Sequence, residues 1–217
     1  MNVGVAENIF GGGIVRNMDV REDFLVKVKL HEDYLNSKCT IGSNLEIVGV
    51  NLSGIDLSNR HLSGADLVEV NFNNADFTNA ELYGCLLFSS SFNEADLSGA
   101  KFNKAKLSGA SLDNAILTNV SALKAEFNHA SLVKADLSNA YLVMAYFDDS
   151  NLRGANLKGA NLKEAYFTGA LLFKADLREA TGIDTIRADW IDVGPEGAPQ
   201  KLEGEEMWQW FRIAAGH

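Results

Sequence analysis

The residue types that most often carry chemistry are scattered along this chain of 217 residues. The four histidines are His31, His61, His129 and His217, and none lies at metal-ligand spacing from the others. No Gly-x-Ser-x-Gly elbow is present, and no order of serine, histidine and aspartate typical of a hydrolase stands out. The sequence therefore predicts neither a catalytic residue nor a metal site.

Cysteine and glycine patterns are equally uninformative about chemistry. Cys39 and Cys85 are the only cysteines, and two do not make a disulfide framework. We expect Cys85 to point inward and to behave as an inert small hydrophobic side chain. The run Gly11-Gly12-Gly13 is not followed by the Lys-Ser or Lys-Thr that a phosphate-binding loop needs. No cofactor is predicted.

A five-residue period runs from Ile47 to Leu177 in 27 consecutive repeats. The central residue is Leu or Phe in 25 repeats, and Ala stands two places before it in 18. A helix turns about 100° per residue and a strand alternates faces, so neither keeps every fifth residue on one side. The chain must therefore bend once per repeat, and the repeats must stack as the coils of a solenoid.

The repeats resemble those of the pentapeptide-repeat proteins. Residues 155–159, Ala-Asn-Leu-Lys-Gly, follow the A-(D/N)-L-x-x pattern of that family. The resemblance implies an all-β solenoid, namely a right-handed quadrilateral β-helix with four repeats per coil and six to seven coils. With neighbouring strands about 4.8 Å apart, the tube would be roughly 30 Å long. The repeat is structural, so the resemblance is specific for the fold and says little about function.

Two positions depart from the pattern. Arg60 occupies an inward corner, where an unpaired charge is costly, so we expect a local distortion or a guanidinium reaching backbone carbonyls near the end of the tube. Ala122 takes a central position, and Leu123 follows it. We therefore expect functional residues at these departures and at the two ends of the tube rather than within the repeat itself.

Both ends of the tube are predicted to carry caps, because an uncapped solenoid exposes apolar side chains and unpaired strand edges. We divide the chain into a leader and cap (1–46), the repeat β-helix (47–180), and a connector with a capping helix (181–217). The segment 21–46 has two interpretations. One is a strand, from the alternation of apolar residues beginning at Phe24, and the other is degenerate repeats in a shifted frame, from leucines five apart ending at Leu35.

The C-terminal tail predicts a helix from Leu202 to Ala215, with Gly216 as its stop. One interpretation is a helical lid over the last coil. The other is a contact surface, through which the protein would be a homodimer rather than a monomer. The residues expected to serve as cap or oligomer contacts are Trp190, Met207, Trp208, Trp210 and Phe211.

The formal net charge of −10 makes direct binding to nucleic acid unexpected, because an acidic chain repels phosphates. If residues 20 apart stack, one column holds Asp56, Asp76, Asp96, Asp136 and Asp176. Such a column could mimic the phosphates of DNA, or its carboxylates could simply accept hydrogen bonds from turn N–H groups. No apolar run is long enough to span a membrane and no secretory signal is visible, so we expect a cytoplasmic protein.

Apolar residues on otherwise polar outer columns indicate a surface for a protein partner. The candidate residues are Tyr83, Leu123, Tyr141, Val143, Phe88, Tyr146 and Tyr166.

Two functions remain open from the sequence. A tube filled with Leu and Phe has no interior pocket, so we expect a non-enzymatic structural or binding module whose protein partner is unknown. The short Ala-Asn-Leu-rich repeats are similar to those of many cyanobacterial members. The alternative is a DNA-mimicking regulator of DNA gyrase, since some members of the family protect that enzyme from quinolones.

Overall fold

A computed structural model of the chain describes residues 19–216. The glycine run 11–13, like most of the proposed leader, and His217 lie outside these residues. The elements, in chain order, are helix α1 (Val20–Asn36), strands β1 (Glu46–Val48) and β2 (Asp66–Val68), a 3₁₀ turn (Ile183–Thr185), strands β3 (Trp190–Asp192) and β4 (Lys201–Glu203), and helix α2 (Gly204–Ala215).

The repeats form a solenoid held by parallel bridges between residues 20 apart, so that four repeats complete one coil. Each bridge residue stands directly before a central residue. The bridges fall into four columns, which define four faces, A to D, in the order in which the chain visits them. Each face comprises the repeats centred on its bridge column, from one residue before the bridge residue to three after it. The bridge residues of face A are Glu46, Asp66, Leu86, Lys106, Glu126, Tyr146 and Tyr166, and those of face B are Asn51, Asn71, Ser91, Ser111, Ser131, Asn151 and Leu171. The bridge residues of face C are Asp56, Asp76, Asp96, Ile116, Asp136, Asn156 and Asp176. The bridge residues of face D are His61, Glu81, Lys101, Ser121, Tyr141 and Asn161.

A tight turn ends each repeat, and its geometry explains the preference for Asn and Gly. In most repeats the carbonyl of the central residue accepts a hydrogen bond from the N–H three residues on, as Leu52 does from Ile55 at 3.2 Å. The residue two places after the centre has a positive φ in all 27 repeats. Positive φ at the third turn position defines a type II turn, which Gly and Asn enter at least cost.

The core consists of the central and corner side chains, which are buried along the solenoid. Phenylalanines of successive coils stack directly, with ring centroids 5.1 Å apart for Phe127 and Phe147 and 5.0 Å apart for Phe147 and Phe167. Ala122 is fully buried, and its carbonyl still accepts the turn hydrogen bond from the Ala125 N–H at 3.1 Å. The substitution at this central position therefore leaves the repeat uninterrupted.

The N-terminal segment is a helix, so both the strand and the repeat interpretations of residues 21–46 were wrong. Asp19 caps α1 by accepting a hydrogen bond from the Arg21 N–H at 3.3 Å. Phe24, Val28 and His31, which share one face of the helix, are buried, and the Phe24 ring lies 6.5 Å from that of Phe72. The apolar residues at every second position suggest a strand, but only those four positions apart, Phe24 and Val28, face the core, as they do in a helix.

Helix α1 also accounts for Arg60. The Arg60 Nη2 donates to one oxygen of the Glu32 carboxylate at 2.9 Å, and the Arg60 Nε lies 2.9 Å from the other oxygen of that carboxylate. The same carboxylate accepts the main-chain N–H of His61 at 3.2 Å. The expectation that the guanidinium reaches backbone carbonyls was wrong, because the helix supplies an acidic partner that sequence spacing could not locate.

The C-terminal end departs from the strict period before it closes. Asn161 bridges Thr181, 20 residues on, but Tyr166 bridges Arg187, 21 residues on, because the 3₁₀ turn at Ile183–Thr185 adds a residue. Strands β3 and β4 then pair in antiparallel fashion. Strand β4 takes residues 202 and 203 out of the predicted helix, so α2 begins at Gly204 rather than Leu202.

Helix α2 packs on the last coil through one face. Met207, Phe211 and Ala215 are buried, and the Phe211 ring lies 6.0 Å from that of Phe167 in an edge-to-face arrangement. The Ala215 carbonyl accepts the Glu179 N–H of the solenoid at 3.1 Å. Gly216 ends the helix in the left-handed conformation, as the sequence predicted.

Candidate protein-binding faces

Face D presents the two most exposed aromatic side chains of the solenoid. Tyr83 is 47% exposed and Tyr141 is 44% exposed, while Leu123, two coils on from Tyr83 in the same column, is partly buried. Val143 is only 7% exposed, so its expected place on the contact surface is wrong: its side chain is covered by its neighbours. The remaining apolar residues form a short stripe along the tube, which we call the Tyr83 stripe (Tyr83, Leu123 and Tyr141).

On face A, in contrast, the predicted aromatic residues are engaged within the molecule. The rings of Tyr146 and Tyr166 stack with centroids 4.6 Å apart. Arg187 covers the Tyr166 ring at 5.3 Å and donates to its hydroxyl at 3.1 Å. Phe88 is partly buried. These contacts leave less free aromatic surface here than on face D.

The four faces of the solenoid differ in net charge, and the net charge of the whole chain does not show this difference. Over residues 45–179, face A carries six acids and one base and face C six acids and two bases, whereas face B carries two acids and three bases. Faces A and C alternate with B and D round the coil, so each basic face has acidic neighbours. Face D is the most basic, with Arg60, Lys101, Lys104, Lys124 and Lys163 against Glu81 and Glu164.

Several lysines beside the Tyr83 stripe lack an acidic partner. Lys101 pairs with Glu81 at 2.7 Å. Within residues 19–216, no carboxylate lies within 4.0 Å of the ammonium groups of Lys104, Lys124 or Lys163. Lys104 lies 5.4 Å from the centre of the Tyr83 ring. An apolar stripe bordered by free cations suits a partner with complementary negative charge.

The aspartate column of face C makes the turn hydrogen bonds expected of it. The Asp56 carboxylate accepts the Ser58 N–H at 2.9 Å, and this bond is the main reason that the pKa of Asp56 is lowered. Asp76 accepts the N–H of Thr78 at 2.8 Å in the same way. These bonds explain the residue type without any partner, although Ile116 and Asn156 interrupt the negative charge of the column.

The tail residues divide between cap and surface. Met207 and Phe211 are buried and serve as cap contacts within the chain. Trp208 and Trp210 are partly buried, with rings 6.0 and 5.3 Å from that of Phe211. Trp190 is partly buried beneath Lys201, whose ammonium lies 5.2 Å from its ring.

The structure has a shallow cleft on face B that was not predicted from the sequence. It encloses about 290 Å³, and three stacked pairs of turn residues form most of its lining, which comprises Val133, Lys134, Arg153, Gly154, Phe173, Lys174 and Glu196. The sequence does carry a signal for it, since residues 20 apart stack and Val133, Arg153 and Phe173 therefore combine apolar and basic side chains in one column. We call it the Arg153 cleft.

Residues 19–216 contain no group of three or more His, Cys, Asp or Glu side chains placed to hold a metal ion. Neither helix within that range is both long and apolar enough to cross a bilayer.

Comparison with proteins of known structure supports the fold. Full-length QnrB1, a plasmid-mediated fluoroquinolone resistance protein, is similar with a TM-score of 0.58 and 24% identity over 63% of this chain and 72% of that chain. A trypsin-treated variant of QnrB1 gives 0.59 and 22%, over 65% and 78%. HetL, a pentapeptide repeat protein involved in heterocyst differentiation regulation in the cyanobacterium Nostoc, is 23% identical over 77% and 97%, with a TM-score of 0.29. The similarity to QnrB1 shows a shared solenoid fold and nothing of its activity.

Sequence comparison identifies the family. A search of curated proteins found no significant match. The sequence profile described as "Pentapeptide repeats" matches in eight copies, over residues 51–87, 80–119, 124–159 and 150–181. These matches cover more than half of the chain and coincide with the bridged coils, so the protein belongs to the pentapeptide repeat family.

Proposed function

We propose that this protein is a non-enzymatic binding module in which a right-handed quadrilateral β-helix holds the Tyr83 stripe rigid for a protein partner. The observation that carries the proposal is that the two exposed tyrosines lie on face D, which is the most basic face of a chain that is acidic overall. Members of the family are generally structural modules, and residues 19–216 contain no group of three or more His, Cys, Asp or Glu side chains placed to hold a metal ion.

The chemistry of the stripe suits protein recognition. Tyrosines contribute large contact areas at low entropic cost and are enriched among the residues that dominate interface energies. Lys104, Lys124 and Lys163 border the stripe without acidic partners among residues 19–216. Because the turns and bridges of every repeat fix the main chain beneath them, little ordering remains to be done on binding.

Serine substitutions test the stripe with little risk to the fold. Ser63 stands in the same column as Tyr83, and Ser121 in the same column as Tyr141, so the solenoid already accepts serine at both positions. The double change Tyr83→Ser and Tyr141→Ser is expected to abolish capture of a partner from extracts of the source cells, since each lost aromatic contact costs roughly 2 kcal/mol or more. Quantitative mass spectrometry of the captured proteins gives the measurement.

The matched control is Ile116→Ser, which removes a 42% exposed apolar side chain from the bridge column of face C. Its captured proteins should equal those of the wild type. Capture of the same proteins by the double variant would refute the Tyr83 stripe as the contact surface.

A second function is favoured by one observation, the carboxylates of faces A and C. If those faces mimic DNA phosphates, the protein would regulate a DNA-binding enzyme such as DNA gyrase. The test is a gyrase supercoiling assay with and without a quinolone. Inhibition of supercoiling or protection from the drug would support this function, and the absence of any effect at micromolar protein would eliminate it.

A further inference from the structure

We propose that the Arg153 cleft binds an acidic peptide segment, through a carboxylate placed beside an apolar side chain. The cleft lies on face B, which is separated from face D by acidic faces on both sides. It is therefore a second site, independent of the Tyr83 stripe.

The cleft combines an apolar floor with a small volume. Val133 and Phe173 are partly buried and provide the apolar contact surface, while Gly154 leaves room between them. A volume of about 290 Å³ is at the lower limit of ligand sites, and it suits one or two side chains rather than a large cofactor.

Three cations converge on this floor. Arg153 is held in place by Asp192, with 3.4 Å between Nη2 and the carboxylate. Asp192 is itself fixed by the N–H groups of Gly194 and Gln200, at 2.8 and 2.7 Å. Lys134 and Lys174 have no carboxylate within 4.0 Å among residues 19–216. The guanidinium is thus preorganised and the two ammonium groups are free to bind an anion.

Glu196 gives the cleft an internal competitor. Its side chain lines the same cleft from the turn between β3 and β4, yet it makes no ion pair within 4.0 Å among the described residues. A carboxylate already at the rim shows that an acidic group can be accommodated there. It also opposes any incoming anion, so its neutralisation should strengthen binding.

The surroundings favour a compact carboxylate over a long polyanion. Face B has an excess of only one base, and faces A and C on either side have excesses of five and four acids. A nucleic acid reaching beyond the cleft would meet these carboxylates and be repelled. A peptide with one or two acidic residues meets only the three cations and the single carboxylate of Glu196.

Nuclear magnetic resonance titration tests the proposal directly. The probe is a blocked hexapeptide of alternating aspartate and phenylalanine, compared with the same peptide carrying asparagine for aspartate and with a single-stranded oligonucleotide. We expect a saturable shift of the Gly154 amide signal with the acidic peptide, weakened by added salt. No saturable shift at millimolar peptide, equal binding of the asparagine peptide, or tighter binding of the oligonucleotide at this site would overturn the proposal.

The variants are matched by backbone position. Lys134 and Lys174 occupy the positive-φ turn position, as do Lys104 and Lys124 on face D, and Glu94 and Glu164 show that glutamate is accepted there. The double change Lys134→Glu and Lys174→Glu should weaken binding about tenfold or more, whereas Lys104→Glu with Lys124→Glu should leave it nearly unchanged. Glu196→Gln should tighten binding about threefold. Equal losses in the two lysine pairs, or weaker binding by Glu196→Gln, would refute the assignment.

Discussion

Single polar atoms at the inward corners adjust the repeat without breaking it. Cys85, Ser90 and Ser150 replace Ala there, and each donates to a main-chain carbonyl. The Ser90 hydroxyl makes two hydrogen bonds to the main chain: it donates to the Leu67 carbonyl at 2.6 Å and accepts from the Val70 N–H at 3.0 Å. It thereby replaces the direct turn bond between Leu67 and Val70. A buried polar atom is tolerated here because its partners are present.

The two cysteines should differ sharply in reactivity. Cys85 is buried, and burial raises the pKa of its thiol to about 12, whereas Cys39 is exposed. Because the thiolate is the reactive form, we expect a thiol reagent at pH 8 to label one cysteine in the native protein and two in denaturant. The Cys39→Ser variant should then show no rapid native labelling. Rapid native labelling of that variant would contradict the burial of Cys85.

At the scale of elements, helix α1 is joined to the solenoid by polar groups as well as apolar ones. His31 is fully buried; its Nδ1 accepts the Leu45 N–H at 3.1 Å, so its Nε2 carries the proton and donates to the Ser63 carbonyl at 3.2 Å. The helix therefore requires a neutral imidazole, since protonated Nδ1 could no longer accept. Burial is the main reason that the pKa of His31 is lowered.

This histidine makes stability depend on pH. Below its ordinary pKa of about 6.5 the unfolded chain binds a proton that the folded chain does not, so the free energy of unfolding should fall with decreasing pH. The slope from this group is at most about 1.4 kcal/mol per pH unit, between pH 6.5 and its lowered folded pKa. Urea denaturation at several pH values measures it. In the His31→Gln variant this contribution should vanish, and an unchanged slope would show that another group is responsible.

The molecule as a whole is a rod with alternating acidic and basic faces and covered ends. Helix α1 packs on the first coils and α2 on the last, so that Phe72 and Phe167 near the two ends are buried. Since Met207 and Phe211 face the coil, we expect the tail to limit self-association more than to promote it. Whether the full protein is a monomer or a homodimer is decided by its mass in solution.

Removal of α2 tests this view of the lid. A chain ending at Glu203 uncovers Phe167 and the last coil, and it should form larger species than the full chain in light scattering. The control Ile213→Ser changes a 67% exposed residue of the same helix and should leave the mass unchanged. A full-length dimer that becomes a monomer on truncation would instead show that the tail joins two subunits.

The sequence by itself determined the solenoid, because a five-residue period admits only a chain that turns once per repeat. It also predicted the left-handed stop at Gly216 and an apolar stripe containing Tyr83 and Tyr141. Only the tertiary structure decided what depends on contacts between distant segments. The salt bridge of Arg60 with Glu32, the cover over Val143 and the convergence of Lys134, Arg153 and Lys174 are such contacts. The physical reason is that a repeat dictates its own local geometry, whereas charge and burial on its outer surface depend on residues 20 or more positions away.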